Sequence, residues 1–168
     1  NGVVRVVSGG KLTINGDGLL DAYSPNNGWC MVIWADGGEV IINGGTYTNK
    51  NAYSPTDSDH YDLIYVKNGG KVTINGGTFI DETPRWTLNH NNDYQGTIIV
   101  NGGKFYDFDP SNVDTDDREG ATVVGKDYCS VKEGDYYVVK AHNYEIPGYD
   151  NDNHYDACQC GAKENVEA

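Results

Sequence analysis

Apolar side chains return at every second position in short runs along the first two thirds of the chain. Leu12 and Ile14 share one parity, as do Val40 and Ile42, Val72 and Ile74, and Ile98 and Val100, with Thr13, Ile41, Thr73 and Ile99 between them. Period two predicts strands rather than helices. The residues just before each run alternate too, which predicts that Val4, Val6, Val32, Trp34, Ile64 and Val66 face inward and that Arg5, Ile33 and Tyr65 face out. After each run a turn leads into a third short strand, where Leu19, Tyr47, Phe79 and Phe105 are expected at equivalent places.

The turns repeat as closely as the strands. INGGTY from Ile42, INGGTF from Ile74 and VNGGKF from Val100 are near copies, and Asn15-Gly16 opens an earlier one, so the asparagines recur at steps of 28, 32 and 26 residues. A period in this range signals supersecondary units that bury their inner faces only by stacking. Three short strands per unit describe one coil of a parallel β-helix. Asn15, Asn43, Asn75 and Asn101 then fall on one corner, where asparagine tolerates left-handed backbone and can bond to the next coil, which predicts a structural ladder.

The phrase GGKVTINGGTF resembles the coils of right-handed parallel β-helix proteins of the pectate-lyase-like superfold, especially repeat regions of surface proteins of gut bacteria and their phages. The resemblance covers about residues 3 to 110 and implies an all-β, right-handed, single-stranded parallel β-helix of about four coils. The superfold hosts lyases, hydrolases, adhesins and tailspikes alike, so it implies no single activity.

The fourth unit departs from the pattern, because His90 and Asn92 stand where Ile64 and Val66 stood; Trp86-Thr87-Leu88 is expected to supply that strand, with His90 to Tyr94 as a loop. Beyond FYDFDPSN comes an acidic stretch, Asp114 to Gly120, and then two strands flanking Glu133-Gly134-Asp135. They predict a hairpin with a turn of three to five residues that covers the open end of the stack. DPSN followed by GDYYVV is similar to the ends of β-helix segments in gut bacterial surface proteins. The expected division is coils over residues 1–110, acidic loop and hairpin cap over 111–140, and a small Cys/His tail over 141–168.

Charge narrows the partners. Twenty-five acidic residues against twelve basic ones give a net charge of −13, which disfavours phosphate backbones and anionic bilayers. No apolar run is long enough to span a membrane as a helix, and no secretory leader is visible. The chain is expected to be a mature or excised piece of an extracellular, cell-surface or virion protein.

Candidate chemistry concentrates in the tail. His142, His154, Cys158 and Cys160 form a complete donor set for a structural zinc, although Cys-x-Cys is tighter than the common knuckle. The tail resembles small C-terminal modules of gut Firmicutes surface proteins that carry two histidines and a CxCG pair. Disulfides are the alternative: Cys30, Cys129, Cys158 and Cys160 make an even set, a direct Cys158–Cys160 bridge is strained, and Cys129 or another chain is the better partner for one of the two. Cys30 reads as a small buried residue.

An enzyme would need carboxylates from successive coils on one groove. Asp57, Asp59 and Asp62, with His60 and Arg85, are the nearest candidates, but they crowd into one loop, and no residue is assigned a catalytic role. Calcium at Asp150, Asp152 and Asp156 is not excluded, although the glycine and closing glutamate of an EF-hand are missing. Tyr23, Tyr53, Tyr65 and Trp86, together with Trp29 and Tyr94, are expected on loops or outward positions where rings can stack on sugars. Ala-Tyr-Ser-Pro at residues 22–25 and again at 52–55 marks one flank. The expected function is therefore a non-catalytic structural or adhesion module that presents a rigid surface to glycans or to host or bacterial surface proteins. The alternatives are a polysaccharide lyase or hydrolase fragment and a self-assembling or trimerising fibre protein.

Overall fold

In the computed structural model the described residues are 2–23, 30–50, 62–90, 96–113 and 121–167. They are built of strands with a single 3-10 turn at Pro84–Trp86, and no helix among them is long and apolar enough to cross a membrane. Each unit contributes one strand to each of three parallel arrays. The first array orders β1 (Gly2–Val7), β4 (Met31–Asp36), β7 (Ile64–Lys67) and β10 (Leu88–His90). The second orders β2 (Lys11–Ile14), β5 (Glu39–Ile42), β8 (Lys71–Ile74) and β11 (Thr97–Val100). The third begins with β3 (Leu19–Ala22), β6 (Thr46–Asn49), β9 (Thr78–Asp81) and β12 (Gly103–Tyr106).

Register is in step across the second array, where Leu12, Val40, Val72 and Ile98 pair in sequence and Ile14, Ile42, Ile74 and Val100 pair one column further on. The third array stacks rings: Tyr47 lies 4.8 Å from Phe79, and Phe79 lies 4.7 Å from Phe105, with interplanar angles of 8° and 5°. All three rings are fully buried. Burial pushes the Tyr47 phenol up to about 12, and its hydroxyl donates to the Gly44 carbonyl at 2.7 Å.

The corner between the second and third arrays is set by asparagine and glycine. Asn43 donates its side-chain amide to Asn15 at 2.8 Å, Asn75 to Asn43 at 2.9 Å and Asn101 to Asn75 at 3.2 Å. Next to that ladder, a Cβ on Gly76 would sit 2.9 Å from the Asn43 carbonyl oxygen, and Gly44 and Gly102 have even less room against the turn beneath. Only hydrogen fits where backbone approaches backbone this closely.

Three details differ from the sequence reading. In the first array Ile33, not Trp34, lies in the column with Val4 and Ile64, while Trp34 pairs with Arg5 and Tyr65. The cause is a turn one residue shorter: Val7 and Lys67 are each followed by two residues up to and including the glycine, Asp36 by Gly37 alone, and a single missing residue inverts strand parity. Arg5 consequently stacks over the Trp34 ring at 4.1 Å and forms an ion pair with Asp36. In the first unit the extra turn residue in Gly16-Asp17-Gly18 brings Leu20, not Leu19, opposite Tyr47, leaving Leu19 exposed. In the fourth unit Trp86 belongs to the 3-10 turn, and the strand is Leu88–His90, with a buried His90 opposite Val66.

The far end of the stack is closed by chain. β13 (Tyr128–Glu133) and β14 (Tyr136–Ala141) form a hairpin whose register, with Glu133 opposite Tyr136, leaves only Gly134 and Asp135 in the turn, tighter than expected because Gly134 takes a φ of 64°. β14 then pairs antiparallel with β12, adding two strands to the third array. Phe108, Val113, Val123 and Val139 complete the core on that side. The acidic stretch 114–120 lies outside the described residues. A separate antiparallel sheet of β15 (Ile146–Tyr149), β16 (His154–Ala157) and β17 (Lys163–Glu167) follows the hairpin.

Candidate metal centre

The terminal sheet lacks a core of its own: every residue of β17 is exposed, as are three of the four in β15. Such a sheet needs another means of attachment. The hairpin supplies one half. Because Cys129 pairs with Lys140 across the hairpin, the base brings His142 back beside β13, and the His142 amide donates to the Asp127 carbonyl at 3.0 Å. The link between β16 and β17 supplies the other half. In Cys158-Gln159-Cys160-Gly161-Ala162 the Gly161 amide donates to the Cys158 carbonyl and the Cys158 amide to the Ala162 carbonyl, both at 2.8 Å, with Gly161 at a φ of 89°. This tight turn presents two sulfurs on one side.

Cys129, His142, Cys158 and Cys160 thus converge, and their ligand atoms all lie within 4.8 Å of one another. Cys129 and Cys158 are buried and Cys160 is exposed. The Cys129 and Cys158 sulfurs are 3.6 Å apart, and Cys160 Sγ is 3.5 Å from His142 Nδ1. A tetrahedral zinc with Zn–S of about 2.3 Å and Zn–N of about 2.05 Å has edges of about 3.8 Å between sulfurs and about 3.5 Å from sulfur to nitrogen. These two edges match that tetrahedron, whereas a disulfide would bring two sulfurs to about 2.05 Å. All four cysteines are free thiols.

The electrostatics suit a bound cation. Burial first, and then the neighbouring Cys160 and Cys158 sulfurs, push the Cys129 thiol up to about 12. Burial also opposes ionisation of Cys158, but the backbone amides of Cys160 and Asn143 and the side chains of His142 and Cys160 outweigh it and bring that thiol down to about 6. Three thiolates cannot share so small a volume unaided. A divalent ion would neutralise them, and protons would compete with it as pH falls.

His142, Cys158 and Cys160 come together as the sequence pairs them, while His154 lies outside the cluster on β16, opposite Tyr149 with ring centroids 6.5 Å apart. Cys129 holds the fourth position. The signal for it lies in the hairpin: counting outward from Gly134-Asp135 places Cys129 and His142 at the same open end. Asp150, Asp152 and Asp156 do not form a second site; Asp150 Oδ1 accepts the amides of Asp152 and Asn153 at the β15–β16 turn, and Asp156 accepts the Asn165 side chain at 3.2 Å. Cys30 is buried and apart from the cluster.

Of the rings expected on the surface, Tyr23 is 66% exposed, while Tyr65 and Trp86 are buried at 2% and 3%. Tyr53, Trp29, Tyr94, Asp57, Asp59 and His60 lie outside the described residues. Asp62 is fully buried and accepts the Asn89 side chain at 2.9 Å, and Arg85 lies over Trp86 at 5.3 Å. Comparison with protein-family models, with curated proteins and with solved structures returns no match, so the site is read from its own chemistry.

Proposed function

We propose that the chain is a non-catalytic extracellular scaffold, a segment of right-handed parallel β-helix whose end is closed by the hairpin and clamped to the terminal sheet by a structural zinc. The observation that carries this reading is the use made of the polar side chains along the stack. Arg5 is engaged with Asp36, Lys11 with Glu39, Asp21 with Thr48 and Lys50, and each asparagine of the ladder with the next. These side chains tie unit to unit instead of converging on a cleft. Right-handedness follows from the general preference of parallel crossover connections. Zinc follows from the donor set, since three thiolates and an imidazole at tetrahedral edges suit it and leave no open position for a substrate.

Such a module serves as a rigid spacer and display surface in a bacterial surface protein or phage fibre. The test is metal content of the purified chain, joined to limited proteolysis with and without a chelator. One zinc per chain is expected, with chelation opening cleavage sites after about residue 141 while the coils stay protected. A metal-free chain with an equally protected terminal sheet would remove the clamp from the proposal. Cleavage of pectic polysaccharides that is lost on substitution of Asp62 or Arg85 would overturn the non-catalytic reading.

A further inference from the structure

The same four residues hold a second possibility that a closed zinc site with two histidines would lack. Three sulfurs share the site, one of them exposed and two buried, and two lie at a separation that a small movement closes. We infer that zinc and an internal disulfide formed by Cys129 are alternative states of this centre, and that oxidation by a small disulfide such as oxidised glutathione ejects the metal and leaves the terminal sheet tied to the hairpin by a single covalent bond. The inference rests on the metal reading of the preceding subsection.

Exposure and strain order the events. Cys160 is the exposed sulfur, so its thiolate attacks the glutathione disulfide, forming a mixed disulfide and expelling one glutathione thiolate. Cys158 is poorly placed to resolve that bond, because a bridge across one intervening residue is strained. Cys129 comes from another strand and its sulfur lies within 4.8 Å of Cys160, so its thiolate displaces the second glutathione thiolate and closes Cys129–Cys160. Two cysteine thiolates have then lost two electrons and one glutathione disulfide has gained them. Cys158, with its sulfur 3.6 Å from Cys129, can exchange into the bridge and free Cys160 again. In either product Cys129 is the constant partner, and His142 with one remaining thiol is too small a donor set to hold zinc tightly.

The consequence is mechanical as well as chemical. Cys129 sits on β13, and Cys158 and Cys160 lie between β16 and β17, so both states join the hairpin to the terminal sheet, but through different numbers of bonds. Zinc fixes four side chains at once, whereas the disulfide fixes two.

The experiment uses the zinc-loaded full chain treated with oxidised glutathione. Zinc release is followed with a chromogenic chelator, free thiols are counted, and disulfide-linked peptides are mapped by mass spectrometry. Release of the metal together with loss of two thiols per chain is expected, with Cys129 linked to Cys160 or Cys158, and with full reversal by a dithiol plus zinc. Cys30→Ala should leave rate and extent unchanged. Cys160→Ser should slow release at least tenfold if it still binds zinc, and should block the internal link in the metal-free chain as well. Zinc that stays bound, a lasting glutathione adduct without an internal link, or a link between Cys158 and Cys160 would overturn the inference. A chain that takes up neither zinc nor cobalt would refute the metal reading separately, and the peptide map of that metal-free chain would still show whether Cys129 closes the bridge.

Discussion

Phe79 occupies the middle of the aromatic column, and its truncation tests whether that column holds the stack together. The ring is fully buried, with Tyr47 at 4.8 Å on one side and Phe105 at 4.7 Å on the other. Removing about 150 Å² of buried apolar surface at about 25 cal/mol per Å² costs about 4 kcal/mol. Two stacked pairs disappear with it, at about 0.5 kcal/mol or more each, so Phe79→Ala should destabilise the protein by about 4 to 5 kcal/mol, at the upper end for such truncations. Leu20 ends the same column, half-buried and with only Tyr47 as a column neighbour, and Leu20→Ala should cost about 1 to 2 kcal/mol. Guanidinium unfolding followed by far-ultraviolet circular dichroism, with zinc in excess so that the terminal sheet is held constant, measures both. A Phe79→Ala cost below about 2 kcal/mol, or one no larger than that of Leu20→Ala, would falsify the idea that the units are coupled through this column.

Three further predictions address the metal site, the corner and a buried carboxyl. Cys129→Ala and His142→Ala should abolish zinc binding, whereas His154→Ala should retain one zinc per chain; cobalt substitution, read by its thiolate charge-transfer absorbance, distinguishes them. Gly76→Ala forces a Cβ to 2.9 Å from the Asn43 carbonyl and should cost about 2 to 3 kcal/mol, while Gly9→Ala, with a φ of 80° and open space around it, should cost only about 1 to 2 kcal/mol; equal costs would rule out close approach as the reason for Gly76. Asp81 is buried, and desolvation first, then the nearby Asp62 and Glu82 carboxylates, raise its pKa well above the usual value against the bonds it accepts from Thr83. The folded chain therefore keeps that proton while the unfolded chain releases it above about pH 4, so the stability this group supplies is present in acid and falls as pH rises. Asp81→Asn should stabilise the protein at pH 7 and have little effect near pH 3.5, and the reverse pattern in denaturation midpoints would refute the assignment.

The strands were legible because every second residue is apolar and because each unit repeats its neighbour. Val40, Val72 and Ile98 lie where the period places them, as do the four asparagines. What alternation cannot reveal is a turn that differs by one residue. Gly37 follows Asp36 directly, and Asp17 lengthens the first corner, so Trp34 and Leu19 face the opposite way from a reading aligned on the glycines. The terminal sheet was invisible for a different reason. Its outer strands show no alternation of burial, since β17 is exposed throughout and β15 at three of its four residues. The Cys/His cluster was partly legible through the Cys-x-Cys pair and His142. Cys129 was obscured because its place depends on hairpin register, which brings together residues distant in sequence.

The close fit of Gly76 against the Asn43 carbonyl, and the closer fits of Gly44 and Gly102 against the turns below, give the molecule a fixed pitch. At this corner one unit meets the next with room for a hydrogen atom and nothing more, so a side chain in place of these glycines would push the later units off their seat. The length of such a molecule is therefore quantised. It can grow or shrink only by whole units of about thirty residues, each bringing its own asparagine, its own glycine and its own ring. An engineered version lengthened by duplicating residues 43–74 would be expected to keep the ladder, the ring column and the closing hairpin, with the metal clamp carried outward by one unit.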